Sequence, residues 1–344
     1  MAMLQTASAG LTPQYQQYFD RQLLSYAKPL IVTAQFAQKR PFPKNKGATS
    51  IRFFRPDVPD RTRVAALTEG IPLAQFRDIT YTPVNVTLAQ YGEAIKITDI
   101  VSFTDLFSTL DQGVRLMGED AGVHADFLCV QQVATLGSPG SANRYYGSAT
   151  STPFGRYSSY ANLQGATNAE GKMKIVDLLW PFARLTITKA KKPEGAAYAT
   201  IIHPQQAYDV MQDAKFVDVG TKREGNTVAG NSIFNGEIGT WYGNRIMVTT
   251  EGWSENAAEG TYDGAITNAS VYTAMVLGRE ALGAAIMAGQ SPFSPSIIVN
   301  NGADSGNPLK QFITAGWKAY WATVLLNDLW AVTVRTASTY IDAT

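Results

Sequence analysis

The chain has 344 residues, 45% hydrophobic and 17% charged, which is enough apolar material for one large domain or two to three lobes and excludes global disorder. Its 29 basic and 28 acidic residues leave a formal net charge of +1. It lacks the basic excess of a dedicated nucleic-acid binder and suits a protein that packs against copies of itself. A single cysteine, Cys129, excludes an intrachain disulfide and fits a reducing compartment. The opening "MAMLQTASAGLTPQ" lacks the layout of a secretory signal, and no apolar run reaches membrane-spanning length. Cytosolic folding is therefore expected, and the sequons at Asn85 and Asn268 read as chance matches.

Residues 1–47 read as an amphipathic arm, with Tyr15, Tyr18, Phe19, Leu23, Tyr26, Leu30 and Ile31 at roughly helical spacing and Pro29 as a break. "KRPFPKNKG" then predicts an extended basic turn. Residues 48–56 read as a short strand. Residues 82–91 alternate, Val84, Val86 and Leu88 facing one way, and Ile95 and Ile97 resume the alternation after Gly92, which predicts a bulge or bend. From Thr104 to Leu136 apolar residues recur at gaps of three and four, predicting one helix of about 50 Å with Thr104 as its N-cap. Residues 138–171 read as an irregular connection. Residues 172–186 return to helix with Pro181 as a kink or early stop, and Tyr198–Ile202 is a strand feeding a helix that begins at Pro204. A turn and strand follow at 236–250. A strand with a helix-like tail follows at 270–287, and two strands around Asn327-Asp328 occupy 316–334. The layout is α+β with no repeat period.

Reactive chemistry is sparse. The two histidines are far apart in sequence: His203 precedes a helix start and reads as structural, and His124 sits among apolar residues and reads as a core or interface imidazole. One Cys and two distant His leave no plausible zinc site. "GADSGNP" (302–308) resembles the nucleophile loop of chymotrypsin-like proteases, with Ser305 between Asp and Gly, but no "AAHC"-like segment exists to complete a triad. A Gly/Asn/Asp/Ser turn explains that stretch, and a mobile surface loop explains 221–231. No phosphate-binding glycine loop occurs. Glu119 and Asp120 are adjacent and splay apart on a helix. Trp317, Tyr320 and Trp321 read as core packing in a strand rather than a stacking platform. The balance favours a structural or interaction protein, with no catalytic residue, cofactor or metal.

Six segments in this order, "LTEGIPL" (67–73), "LAQYGEAIKITDI" (88–100), "IIHPQQAYDVMQDAKF" (201–216), "GEIGTWYGNRIMVTT" (236–250), "VYTAMVLGREALG" (271–283) and "NPLKQFITAGWKAYWATVLLNDLWAVTV" (307–334), resemble the major capsid proteins of the phage N-four type. These belong to the tailed-phage lineage with the Hong Kong 97 capsid fold. The resemblance covers most of the chain from about residue 60 onward. It implies an N-terminal arm (1–47), an E-loop (48–92), a P-domain with a spine helix at 104–136 (93–174), an A-domain (175–300) and a return to the P-domain (301–344). It also implies assembly with copies of itself, as pentamers and hexamers in an icosahedral shell, in the bacterial host cytoplasm. The partners it implies are a separate scaffolding protein, a portal and packaged double-stranded DNA held without sequence specificity. A decoration protein is a further optional partner, and no membrane is involved.

That resemblance gives a role to the charged, proline-broken stretch Thr49–Gln75. A projecting two-stranded ribbon is marginal in water and becomes stable when a neighbour covers it, and Pro56 and Pro59 blunt its edge. Arg52, Arg55, Arg61 and Arg63 with Asp57, Asp60 and Glu69 are the expected inter-subunit charges. Each exposed pair contributes only about 0–1 kcal/mol, so the charges set register while apolar burial supplies affinity. Lys39, Arg40, Lys44 and Lys46 are the candidates to face DNA. Some members of the family crosslink an E-loop lysine to a neighbour's asparagine. Here the tip carries arginine, so no isopeptide mesh is expected. Nor is a maturation cleavage, because 1–47 is short for a scaffolding segment. The alternatives are an encapsulin-like cellular compartment of the same fold and a soluble hydrolase using Ser305.

Overall fold

A computed structural model of the chain describes residues 26–27, 31–42, 50–56, 66, 69, 81–104, 109–134, 143–147, 163, 171–193, 197–214, 216, 237–241, 243–255, 271–287, 296–300 and 306–340. A 3-10 turn, Ala34–Phe36, leads into β1 (Gln38–Phe42). Then come β2 (Ser50–Pro56), β3 (Tyr81–Thr87), β4 (Ala89–Thr98), α1 (Asp99–Thr104), α2 (Thr109–Ala134) and β5 (Arg144–Tyr146). Next are α3 (Leu179–Ile187), β6 (Tyr198–Ile202), α4 (Pro204–Gln212), β7 (Glu237–Trp241), β8 (Asn244–Val248) and β9 (Ser254–Glu255). The last strands are β10 (Val271–Leu277), β11 (Leu282–Met287), β12 (Ser296–Asn300), β13 (Phe312–Leu325) and β14 (Ala331–Thr336).

Three sheets organise these elements. In the first, β13 is the spine: β4 pairs antiparallel along Phe312–Trp321, while its other edge takes β12 and then β11, with β1 added parallel to β11. Pro41 is tolerated in β1 because that strand lies at the sheet's edge. The second sheet runs β5-β14-β10-β6-β8-β7, with β9 beside β10. The third is the two-stranded ribbon β2-β3. The chain passes by short turns between the first two sheets at 278–281 and at 326–330, and these crossings hydrogen-bond to each other. Gly278 N donates to Trp330 O (2.8 Å) and Leu326 N to Ala281 O (2.8 Å).

α2 is about 39 Å long at 1.5 Å per residue. Its buried face, including Val114, Met117, Ala121, Ala125, Cys129 and Val133, packs with Trp317, Ala319 and Trp321 of β13 and with Met275 and Leu277 of β10. The side chains of Asp120 and Thr323 tie the helix to that sheet: Trp317 Nε1 donates to Asp120 Oδ2 (2.8 Å), and Thr323 Oγ1 donates to Leu128 O (3.2 Å). Gly122 is required by a close approach, since a Cβ there would lie 2.6 Å from Ala27 O. The second core lies on the other sheet. There Met173, Ile175, Leu178 and Leu185 meet Ile202, Ile246, Val276 and Val334.

Several expectations are corrected. Thr104 does not cap a helix that starts there: it ends α1 and its hydroxyl bonds back to Ile100 O (2.8 Å). Residues 105–108 and 135–136 of the expected rod lie outside the described residues. Gly92 makes no bulge, because β4 keeps register with β13 through it; the break falls at Leu88, where the chain leaves the ribbon for the first sheet. Lys39 and Arg40 lie in a strand rather than a turn. Pro181 sits in the first turn of α3, where its missing N–H has no intrahelical partner to lose, so it neither kinks nor stops the helix. Inside the connection expected to be irregular, Arg144–Tyr146 is a buried strand parallel to β14. The helix-like tail after Val271 is a second strand, β11. A turn with Glu280 at φ 63° separates it from β10, and pairing with β1 and β13 on both edges overrides the helix propensity of Leu282, Ala284, Ala285 and Met287. The strands around Asn327-Asp328 do not pair with each other; β13 and β14 belong to different sheets.

Candidate functional site

The ribbon β2-β3 has two unlike faces, as strand alternation requires. Ile51, Phe53 and Val86 turn inward and, with Val84, meet Phe42 of β1, Ala285 of β11, Ala322 of β13 and Leu326 just past its end. This small core seats the root of the ribbon on its own body, so the arm is not wholly without a core. The opposite face carries Arg52, Phe54, Tyr81, Pro83 and Asn85, all exposed. There Phe54 and Tyr81 form an edge-to-face pair with centroids 6.3 Å apart. Phe54 is 56% exposed and Tyr81 55%, a concentration of exposed aromatic surface among the described residues.

The arginines of the ribbon have separate duties. Arg52 Nε donates to Asn85 Oδ1 across the ribbon (2.9 Å). Arg55 reaches back to the crossing between the sheets, donating to Asn327 Oδ1 (3.0 Å) and standing 3.6 Å from Asp328 Oδ1. Its described partners therefore belong to its own chain. Glu69 is exposed in a turn, whereas Asp57, Asp60, Arg61 and Arg63 lie outside the described residues. Of the basic group, Lys39 and Arg40 are exposed on β1, and Lys44 and Lys46 lie outside the described residues. Arg40 donates to Arg52 O (2.7 Å) and lies over the Phe53 ring, 5.7 Å from its centroid.

The groups weighed for chemistry are built into the fold. His203 is the N-cap of α4: its Nδ1 accepts from Gln205 N (3.2 Å), Gln206 completes a capping box, and the ring stacks on Tyr272. Burial lowers its pKa to about 4. His124 packs among Tyr91, Trp317 and Trp321, and burial lowers its pKa as well. The carboxyls of Glu119 and Asp120 diverge, one to Arg115 and one to Trp317. A hydrogen bond with Asp120 raises the pKa of Glu93, which lies beside it. Ser305 and residues 221–231 lie outside the described residues. Among the described residues no three His, Cys, Asp or Glu gather as a metal site, and no helix is long and apolar enough to cross a membrane.

Sequence reasoning missed Asp126. It is fully buried on α2, and burial raises its pKa against the opposing pull of its hydrogen bonds. Its Oδ1 accepts from the amides of Val32 (3.1 Å), Thr33 and Ala34 (3.2 Å), and its Oδ2 from the hydroxyls of Thr249 (2.9 Å) and Thr33 (3.3 Å). The only signal in the sequence is an acidic residue interrupting an apolar helix face, at Ala125-Asp126.

A family model described as "Phage capsid protein" matches residues 139–313, just over half of the chain. The chain belongs to the phage capsid protein family. No curated protein matches it significantly. Among solved structures it is similar to the capsid of Ralstonia phage GP4, with a TM-score of 0.65 at 14% identity over 90% of this chain and 89% of that one. The cyanophage Pam1 capsid matches with a TM-score of 0.63 at 13% identity, over 92% and 93%. The SrpI encapsulin of Synechococcus elongatus shares the fold less closely, with a TM-score of 0.52 at 13% identity over 90% and 89%. The fold is thus the Hong Kong 97 type of tailed-phage major capsid proteins, and the family is structural. This places the protein in the virion capsid.

Proposed function

We propose that this chain is the major shell subunit of a tailed double-stranded DNA phage, assembling in the host cytoplasm as pentamers and hexamers that close an icosahedral shell around the genome. The observation that carries this reading is the ribbon. One face is seated on the subunit's own body and the other offers Phe54, Tyr81 and Pro83 to a second copy. Apolar burial there supplies affinity, and Arg52, Arg61, Arg63, Asp57, Asp60 and Glu69 set register with the neighbour. Arg55 is instead the fastener of the root. Contact with DNA is sequence-independent, through Lys39, Lys44 and Lys46 and in lesser part Arg40, whose guanidinium also serves the ribbon. A separate scaffolding protein and a portal take part in assembly. The chain performs no catalysis.

Electron microscopy of the purified protein tests this directly. Closed particles tens of nanometres across are expected, and a monomer or small oligomer at high concentration would overturn it. The likeness to an encapsulin favours one second reading, a cellular compartment of the same fold. Particles purified from the native source that hold double-stranded DNA support the phage reading; particles that hold a protein cargo support the other.

A further inference from the structure

The segment 31–42 runs from α2 to the root of the ribbon. Its first residues lie on Asp126 of α2. That carboxylate also holds the hydroxyl of Thr249, just past the end of β8 in the second sheet. Among the described residues five donor contacts reach Asp126, all from neutral groups, and no guanidinium or ammonium is among them. A buried carboxylate held by dipoles alone is costly unless every donor stays in place. Its Oδ1 faces the amides of 32–34, and its Oδ2 holds the Thr249 hydroxyl and, at 3.3 Å, the Thr33 hydroxyl, so the one carboxylate joins the strap to Thr249.

From there the segment has no slack. Phe36 N donates to Thr33 O (3.1 Å) and Ala37 N to Ala34 O (3.4 Å). β1 begins at the next residue and pairs with β11 residue by residue from Gln38 to Phe42. Val32, Ala34 and Ala37 are buried in the main core and Phe42 in the core of the ribbon root. At the far end Arg40 donates to Arg52 O in β2 and covers the Phe53 ring.

We propose that residues 31–42 form a strap that couples the end of β8 in the second sheet to the root of the projecting ribbon, with Asp126 as its pin and Arg40 as its hook, so that loosening either end loosens the other. The strap gives a shell subunit a route by which a change at the second sheet alters the seating of the ribbon. The coupling is a property of one chain and does not depend on assembly.

Hydrogen exchange read by mass spectrometry on the full chain tests it. Thr249→Val removes one donor to the pin. Exchange is expected to rise about tenfold at amides 32–37 and severalfold at 51–55 in β2, the scale of losing one hydrogen bond to a charged acceptor. Arg40→Met is expected to raise exchange in β2 and, back along the strap, at 32–34. In the double variant the two effects are expected to combine to less than their product, because a strap already released at one end transmits nothing further. Thr249→Ser keeps the donor and Asp126→Asn keeps an acceptor for the three amides, so both are expected to retain protection at 32–34. The proposal is overturned if Thr249→Val acts only on 249–252 and leaves 51–55 unchanged, or if the two substitutions act independently. Since all readouts come from the unassembled subunit, a failure here is distinguishable from a failure to form shells.

Discussion

Phe53 and Phe54 are adjacent in β2 and point to opposite faces, and replacing each by alanine separates the two halves of the argument. Phe53 is 4% exposed and sits among Phe42, Ile51, Val86, Ala285, Ala322 and Leu326. Removing a buried phenylalanine costs about 3–5 kcal/mol where the surroundings are closely packed. That exceeds what a two-stranded ribbon holds on its own, since such a hairpin is marginal in water. Phe53→Ala is therefore expected to undock the ribbon rather than unfold the chain. Amides of 50–56 and 81–87 lose protection by hydrogen exchange, while β10, β13 and β14 keep theirs and the main melting transition moves little. Phe54→Ala removes a ring that is more than half exposed, so the free subunit loses no more than about 0.5 kcal/mol. Particle formation is nevertheless expected to fall sharply, because the proposed function assigns that ring to the contact with a neighbouring copy. The reasoning is refuted if Phe53→Ala leaves the ribbon protected, or if Phe54→Ala destabilises the free subunit as much as Phe53→Ala does.

Gly122→Val is expected to push residues 26–27 off α2, since even a Cβ would stand 2.6 Å from Ala27 O; faster proteolysis ahead of residue 31, with the body intact, checks it. His203→Ala removes an N-cap and is expected to cost about 1 kcal/mol by denaturant unfolding, whereas His203→Asn keeps a capping oxygen and costs less. The folded-state pKa of His203, about 4, lies below its ordinary 6.5, so the folded chain binds that proton less readily than the unfolded one. Its contribution to stability is full above pH 6.5 and is lost as pH falls toward about 4, by roughly 1–2 kcal/mol once solvent screening of its exposed part is allowed for. The same pH series on His203→Asn is expected to be flatter by that amount. Denatured particles are expected to give a single monomer mass; a ladder of covalent multimers would contradict the absence of a lysine-to-asparagine mesh.

What was legible in the sequence is what local rules decide. Pro204 after His203 marks the start of α4, and the short run Tyr198–Ile202, rich in β-branched and aromatic residues and buried throughout, marks β6, because proline stereochemistry and strand propensity act over a few residues. The buried face of α2 follows its spacing of three and four. What was not legible depends on partners distant in sequence. Leu282–Met287 has the composition of a helix and becomes a strand because two edges await it. Gly92 looks like a bulge, yet its role is to let β4 close on β13, since a Cβ there would fall 2.5 Å from Trp317 O. Asp126 has no local reason to be buried, because its donors come from residues more than ninety positions away. At the ribbon, the sequence pointed to Arg55 as a partner for a neighbour. Its partners within the chain, Asn327 and Asp328, were not legible, because they belong to a turn whose position depends on how the two sheets join.

The division of labour on the ribbon follows from a conflict between two requirements. A subunit that buried both faces of its arm would be more stable alone and would have less to gain from a neighbour. One that buried neither would carry a ribbon too weak to present any fixed surface. Seating Ile51, Phe53 and Val86 on the body while Arg55 fastens the root at the sheet crossing fixes the orientation of the outer face. Under the proposed function, the aromatic pair on that face then meets a neighbour with little conformational entropy left to lose. A net charge near zero leaves this step without long-range repulsion between copies. Each contact can therefore stay weak, because a closed shell holds every subunit through several of them at once.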